Sequence, residues 1–238
     1  MLGRRPVKEL FNSAVTIERL IVRLGSKGKI VWDIIDLAKK RGVRIDRLPP
    51  EVFDKIYPPG AAGIAAKISA CPVVELGELL ESIRQSGKHP FLVILDGVED
   101  PHNLGAVARS AEAAGCNGMI LPRRSSAPLS QTAAKASAGA LSHLPVAKVG
   151  NLNAAIKQLK KAGIWIYGAD MRGKDFRKVE YAPAAALVIG GEGGGLSRLV
   201  KENCDEMVSI PMYGKIASLN ASVSAGIILF EMAGRRKF

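Results

Sequence analysis

Residues 91–115 read FLVILDGVEDPHNLGAVARSAEAAG, and this stretch decides the fold. Phe91-Leu92-Val93-Ile94-Leu95 is an unbroken apolar run, as expected for a strand buried on both faces of a parallel sheet. A turn follows, and the spacing predicts a helix over 105–114. The couplet then recurs. Apolar runs at 118–121, 164–167, 186–189 and 207–210 predict further strands, and helical patterns at 153–161, 196–203 and 222–233 fall between or after them. Strand and helix alternating over about 150 residues imply a doubly wound α/β fold with a parallel sheet.

Ligand sites in such sheets lie beyond the carboxyl ends of the strands, and three segments following apolar runs hold chemically useful residues. In the first, Asn103 is placed to begin the helix by accepting an orphan backbone N–H. Arg109 lies one or two turns on, and its side chain is expected to lean back toward Asn103. The second is Gly190-Gly191-Glu192-Gly193-Gly194-Gly195-Leu196-Ser197. It is not a P-loop, because Leu196 stands where the lysine belongs, and the dinucleotide pattern GxGxxG fails at Glu192 in one frame and at Leu196 in the other. So many glycines around one carboxylate indicate close backbone approach to a ligand or another chain segment. The third segment, 210–226, contains Ser218 and Asn220 as caps for the last helix, an apolar stripe at Val223, Ile227 and Phe230, and small residues at Ser222, Ala225 and Gly226 that let another backbone pack close. Taken singly, each segment has an ordinary structural reading as a helix cap or a turn.

The N-terminal part reads as a small α/β unit, with helices expected at 6–13 and 30–40 and strands at 19–22 and 43–48. Residues 1–75 are taken as one domain, 76–90 as a linker ending in Ser86-Gly87-Lys88-His89-Pro90, and 91–238 as the second domain. Lys and Arg number 34 against 22 acidic residues, a net charge of +12 that favours a polyanionic partner such as nucleic acid. Residues 1–75 contain 14 basic and 8 acidic side chains, so positive charge is densest there and this unit is the expected RNA-gripping element. Hydrophobic residues make up 47% and charged residues 24%, which excludes a disordered or collagen-like chain. No apolar run approaches the roughly 20 residues of a membrane span, and no signal-peptide pattern opens the chain, so neither membrane insertion nor secretion is expected. Cys71, Cys116 and Cys204 are scattered, as are His89, His102 and His143; this suits a reducing cytoplasm and predicts no metal site.

In this order, the motifs DPHNLGAVARSAEAAG, LVIGGEGGGLS and SIPMYGKIASLNASVSAG resemble those of the SpoU/TrmH family of RNA ribose 2′-O-methyltransferases. The resemblance covers the chain from about Phe91 to its end. More loosely, the N-terminal unit looks like the small substrate-binding domain, similar to the ribosomal L30e fold, of bacterial members that modify a guanosine of 23S ribosomal RNA. The resemblance implies a SPOUT-type parallel sheet whose C-terminal part forms a trefoil knot, S-adenosyl-L-methionine as methyl donor, RNA as substrate (ribosomal first, transfer RNA as the alternative) and a homodimer with the last helix near its interface. It also implies cofactor contacts from backbone groups at Gly190, Ile210 and Leu219, and catalytic roles for Asn103, Arg109, Glu192, Ser218 and Asn220.

A guanidinium is effectively always protonated. Arg109 is therefore expected to contact the ribose 2′-oxygen or a neighbouring phosphate rather than act as a base, with Asn103 holding it, Ser218 and Asn220 orienting the ribose, and Glu192 fixing the glycine loop or a dimer contact. Gly191 and Gly194 stand where the family motif tolerates other residues, and are expected to loosen that loop. A reading of a different class is an RNA-binding or ribosome-assembly protein on a catalytically dead scaffold.

Overall fold

The computed structural model describes residues 1–12 and 15–236. Contacts divide the chain into one unit spanning Met1–Pro72 and a second from Val73 onward.

In the first unit, helices α1 (Arg4–Leu10), α2 (Lys29–Lys40) and α3 (Pro50–Ile56) accompany strands β1 (Ile17–Arg23), β2 (Arg44–Leu48) and β3 (Ile64–Ile68). Strand β1 is central, parallel to β2 and antiparallel to β3. Its side chains alternate between faces. Leu20 and Val22 join Val7, Phe11, Val31 and Ile34 in one apolar cluster, while Ile21 packs with Phe53, Ala61 and Ala65 in another. Helix α1 starts two residues before the predicted 6–13 and ends at Leu10; Ser13 lies outside the described residues.

Among the described residues the second unit forms a seven-stranded sheet. Its strands are β4 (Val73–Val74), β5 (Phe91–Asp96), β6 (Gly118–Pro122), β7 (Val146–Val149), β8 (Trp165–Asp175), β9 (Ala185–Gly190) and β10 (Glu206–Ser209). Its helices are α4 (Leu76–Gln85), α5 (Pro101–Ala113), α6 (Gln131–Ala136), α7 (Leu152–Lys161), α8 (Arg198–Asn203) and α9 (Ala221–Arg235). The strand order is β10-β8-β9-β5-β6-β7-β4, and every neighbouring pair is parallel. All carboxyl ends therefore share one edge. On β5, Leu92 and Ile94 pack with Leu79, Ile156, Leu159 and Val200 from α4, α7 and α8. Val93 and Leu95 point to the opposite face and are equally inaccessible, so the apolar run is buried on both sides as its sequence predicts.

The expected linker over 76–90 is not one. Strand β4 pairs with β7, Val73 opposite Val146, and Leu76, Leu79 and Ile83 of α4 belong to the sheet's core. Apolar residues at positions 76, 79, 80 and 83 have helical spacing, and Glu75 with Glu78 forms a reciprocal capping box. The division of the chain thus falls at Pro72, ahead of the 1–75 boundary.

The last helix uses its faces differently from the prediction. Ala225, Ile228, Leu229 and Met232 are the buried residues of α9. A Cβ added at Gly226 would lie 3.3 Å from Ser110 Oγ on α5, so the small-residue face packs within the chain. Val223, Ile227 and Phe230 remain exposed, at 49%, 36% and 55%.

Candidate active site

The three predicted segments follow β5, β9 and β10, and the parallel sheet delivers them to the same edge. After β5, Asp100 rather than Asn103 caps α5: its carboxylate accepts from the backbone N–H groups of His102 at 3.1 Å and Asn103 at 3.3 Å. Pro101 occupies the first helical turn, where its missing N–H costs nothing and its fixed φ suits the helix. Asp-Pro is a stronger start signal than a lone Asn, and this frees the Asn103 amide for other work. Asn103 is buried at 8% exposure.

The freed amide joins the three segments. Asn103 Nδ2 donates to Glu192 Oε1 at 2.9 Å. Asn220 Nδ2 donates to Asn103 Oδ1 and to the same Glu192 Oε1, both at 2.9 Å. Asn220 Oδ1 in turn accepts from Ser222 N at 2.8 Å, capping α9 as predicted. One carboxylate oxygen thus gathers two amides from opposite ends of the second unit, and charge-assisted bonds of this kind are stronger than neutral ones. Glu192 is a tie between segments.

The glycine loop is tightly folded. Gly191 N donates to Asp96 O at 2.8 Å and Gly195 N to Gly191 O at 3.1 Å, while Asp96 Oδ2 accepts from Ser197 N at 2.7 Å. A Cβ at Gly190 would fall 2.2 Å from the Gly195 carbonyl carbon, and one at Gly191 would fall 2.0 Å from Gly97 O. Both clashes are against backbone, so Gly191 tightens this loop instead of loosening it. Gly194 faces open space.

Beside this loop lies a cleft of about 610 Å³, within the usual size of small-molecule sites. Gly190, Ile210 and Leu219, the three expected cofactor contacts, all line it, together with Glu192, Ser218 and Asn220. Ile210 lies just past the end of β10 instead of inside the predicted strand. Ile189, Met212 and Ile228 add apolar surface, and Asp170, Arg172 and Lys201 add charge. Asp170 and Arg172 are hidden in the sequence because β8 runs to Asp175, well past the predicted 164–167, while Lys201 sits on the predicted helix with no local signal that it faces a site. Lys201 Nζ lies 2.6 Å from Asp170 Oδ2 and Arg172 N donates to Oδ1 at 3.0 Å; the ammonium first, and then the amide, hold the Asp170 carboxyl below the usual carboxylate range.

Arg109 is not held by Asn103. Six residues separate them, about 9 Å along the helix axis and roughly 240° around it, whereas helical side chains meet at three or four residues apart. Arg109 is exposed, lies outside the cleft lining, and has no hydrogen bond or ion pair among the described residues. Its guanidinium is free to meet an incoming anion. Burial pushes the thiols of Cys116 and Cys204 up to about 12, so neither is a nucleophile near neutral pH.

A parallel α/β sheet whose glycine loop, strand end and helix start converge on a cleft at its carboxyl edge defines an α/β enzyme scaffold with a small-molecule site. The SpoU rRNA methylase family model matches residues 90–230, and a model for RNA 2′-O ribose methyltransferase substrate binding matches residues 2–72. YacO of Bacillus subtilis (strain 168), whose name places it in the TrmH family of tRNA/rRNA methyltransferases, is 39% identical over 237 residues, covering 99% of this chain and 95% of its own. Among solved structures, the SpoU methyltransferase AviRb from Streptomyces viridochromogenes superposes with a TM-score of 0.63 at 25% identity, covering 99% of this chain and 88% of that one. An rRNA methyltransferase from Sinorhizobium meliloti with AdoMet bound gives 0.61 at 25% identity, covering 98% and 85%. The chain belongs to the SpoU/TrmH family of RNA methyltransferases.

Proposed function

We propose that the protein transfers a methyl group from S-adenosyl-L-methionine to a ribose 2′-oxygen, that of a guanosine in large-subunit ribosomal RNA. The observation that supports this best is the tie between segments: Asn103, Glu192 and Asn220 close one hydrogen-bonded ring beside a cleft lined by Gly190, Ile210 and Leu219. The cleft suits the donor. Its apolar walls fit an adenine ring, and its floor at Gly190 is backbone that no Cβ could share. Backbone groups at Gly190, Ile210 and Leu219 would hold it.

S-adenosyl-L-methionine supplies a methyl group already activated by its sulfonium. The chain has to align the acceptor and manage its proton. Arg109, exposed and unpartnered among the described residues, stabilises the developing alkoxide or fixes the adjoining phosphate, and the proton leaves to phosphate or water. Ser218, on the cleft wall, orients the ribose. Asn103 and Asn220, tied through Glu192, hold the start of α5 and the start of α9 against the glycine loop.

In the same reading the first unit, with its dense positive charge, grips the RNA, and the exposed Val223–Ile227–Phe230 stripe is the homodimer contact. The segments from β9 to α9 form the family's trefoil knot, and the enzyme works in the cytoplasm. Mapping 2′-O-methyl sites in RNA from cells lacking the protein tests the assignment. Loss of one guanosine methylation in large-subunit rRNA supports it; loss of a transfer RNA site moves the substrate, and an unchanged map favours a non-catalytic RNA-binding role.

A further inference from the structure

Strands β8 and β10 pair in two separate pieces. Tyr167 and Gly168 oppose Glu206 and Met207, and then Lys174 and Asp175 oppose Val208 and Ser209. Five residues of β8, 169–173, are therefore looped out between consecutive positions of β10. Glycines close both ends of this bulge. A Cβ on Gly168 would come within 2.9 Å of Met207 and Cys204 sulfur atoms, and one on Gly173 would fall 2.6 Å from the Met207 and Val208 backbone. Ser209 Oγ donates to Gly173 O at 2.7 Å and pins the far end. Bulges beside sites redirect side chains, and this one turns Asp170, Met171 and Arg172 into the cleft.

We propose that Asp170, presented by this bulge and fixed by Lys201, binds the ribose hydroxyls of the adenosyl ligand. The proposal rests on the methyl-donor reading above and names the residue that recognises the donor's sugar. Each Asp170 oxygen has one partner, Lys201 Nζ for Oδ2 and Arg172 N for Oδ1, and each keeps acceptor capacity. Neutral hydroxyls suit those remaining sites. A second cation does not, because the Lys201 ammonium already lies 2.6 Å from the carboxylate and would repel the ligand's own ammonium group. A vicinal diol offers two O–H donors at a spacing that one carboxylate spans, the same chemistry by which an acidic residue reads ribose in dinucleotide-binding sheets.

Calorimetric titration of S-adenosylhomocysteine and its 2′,3′-dideoxy analogue into the full-length protein tests this without turnover. Removing the diol is expected to cost the wild type at least tenfold in affinity and Asp170→Asn no more than twofold. Lys201→Met, which keeps the carboxylate, retains most of the tenfold dependence. Asp170→Ser repeats the comparison should Asp170→Asn not fold. Equal diol dependence in the wild type and the Asp170 variants overturns the proposal, as does a dependence that vanishes only in Lys201→Met. No binding of S-adenosylhomocysteine to the wild type overturns the donor reading itself, so the two failures are distinguishable.

Discussion

The side-chain amide of Asn103 donates to the carboxylate of Glu192 at 2.9 Å across 89 residues of sequence. Asn103 accepts at its other end from Asn220, which also reaches Glu192. Replacing Asn103 by Asp sets a carboxylate at a buried position against the solvent-exposed carboxylate of Glu192. Asn103→Asp is expected to destabilise the protein by about 1–2 kcal/mol, more than Asn103→Ala, with the repulsion damped by solvent around Glu192. Thermal melts of both variants check this; equal penalties for Asp and Ala at position 103 would show that Glu192's charge does not bear on the ring.

The glycine loop offers a matched pair. Gly191→Ala drives a methyl carbon against the Gly97 carbonyl oxygen, whereas Gly194→Ala meets open space. The first is expected to weaken S-adenosylhomocysteine binding at least tenfold and the second by no more than twofold, read by calorimetry.

Much of this architecture was legible in the sequence. The unbroken apolar run at 91–95 announced a strand buried on both faces, and the order of the three motifs pointed to Gly190, Ile210 and Leu219, which line one cleft. Other parts were hidden by competing local signals. Asn103 is a fair cap in isolation, but Asp100-Pro101 precedes it and takes the helix start. Helix α4 is masked in the sequence by the linker-like Gly87 and Pro90 that follow its apolar spacing. The bulge that brings Asp170 into the cleft depends on pairing with β10, which no pattern within β8 records. The partners of Glu192, 28 and 89 residues away, likewise required the fold.

The corrected boundary changes how the first unit should be removed. A cut after Pro72 leaves β4 and α4 with the sheet they complete. The resulting fragment, residues 73–238, is expected to keep its affinity for S-adenosylhomocysteine within about threefold. Its RNA binding should be weaker and should depend less steeply on salt, because fewer phosphates are neutralised. Filter-binding titrations at several salt concentrations check this, and identical slopes for both chains would remove the RNA-gripping role of the first unit.

The buried thiol of Cys116 is expected to make the fold sensitive to alkali. Desolvation pushes Cys116 up from 9.0 to about 12. A group whose folded value is raised stabilises the fold fully below its unfolded value and loses that contribution as pH climbs through the folded one. Stability should therefore decline between about pH 9 and pH 12, and Cys116→Ala should flatten the decline. Urea unfolding midpoints at pH 8, 9.5 and 10.5 measure it; a Cys116→Ala curve parallel to the wild type would assign the loss to other groups.

Transfer of the tritiated methyl group of S-adenosyl-L-methionine to ribosomal RNA, followed by digestion to nucleosides, tests the central claim most directly. The account predicts label in a 2′-O-methylated nucleoside with the wild type. It predicts a loss of about a hundredfold or more in Arg109→Ala, with S-adenosylhomocysteine affinity unchanged within twofold. Label on a base, no label at all, or wild-type turnover in Arg109→Ala would contradict it.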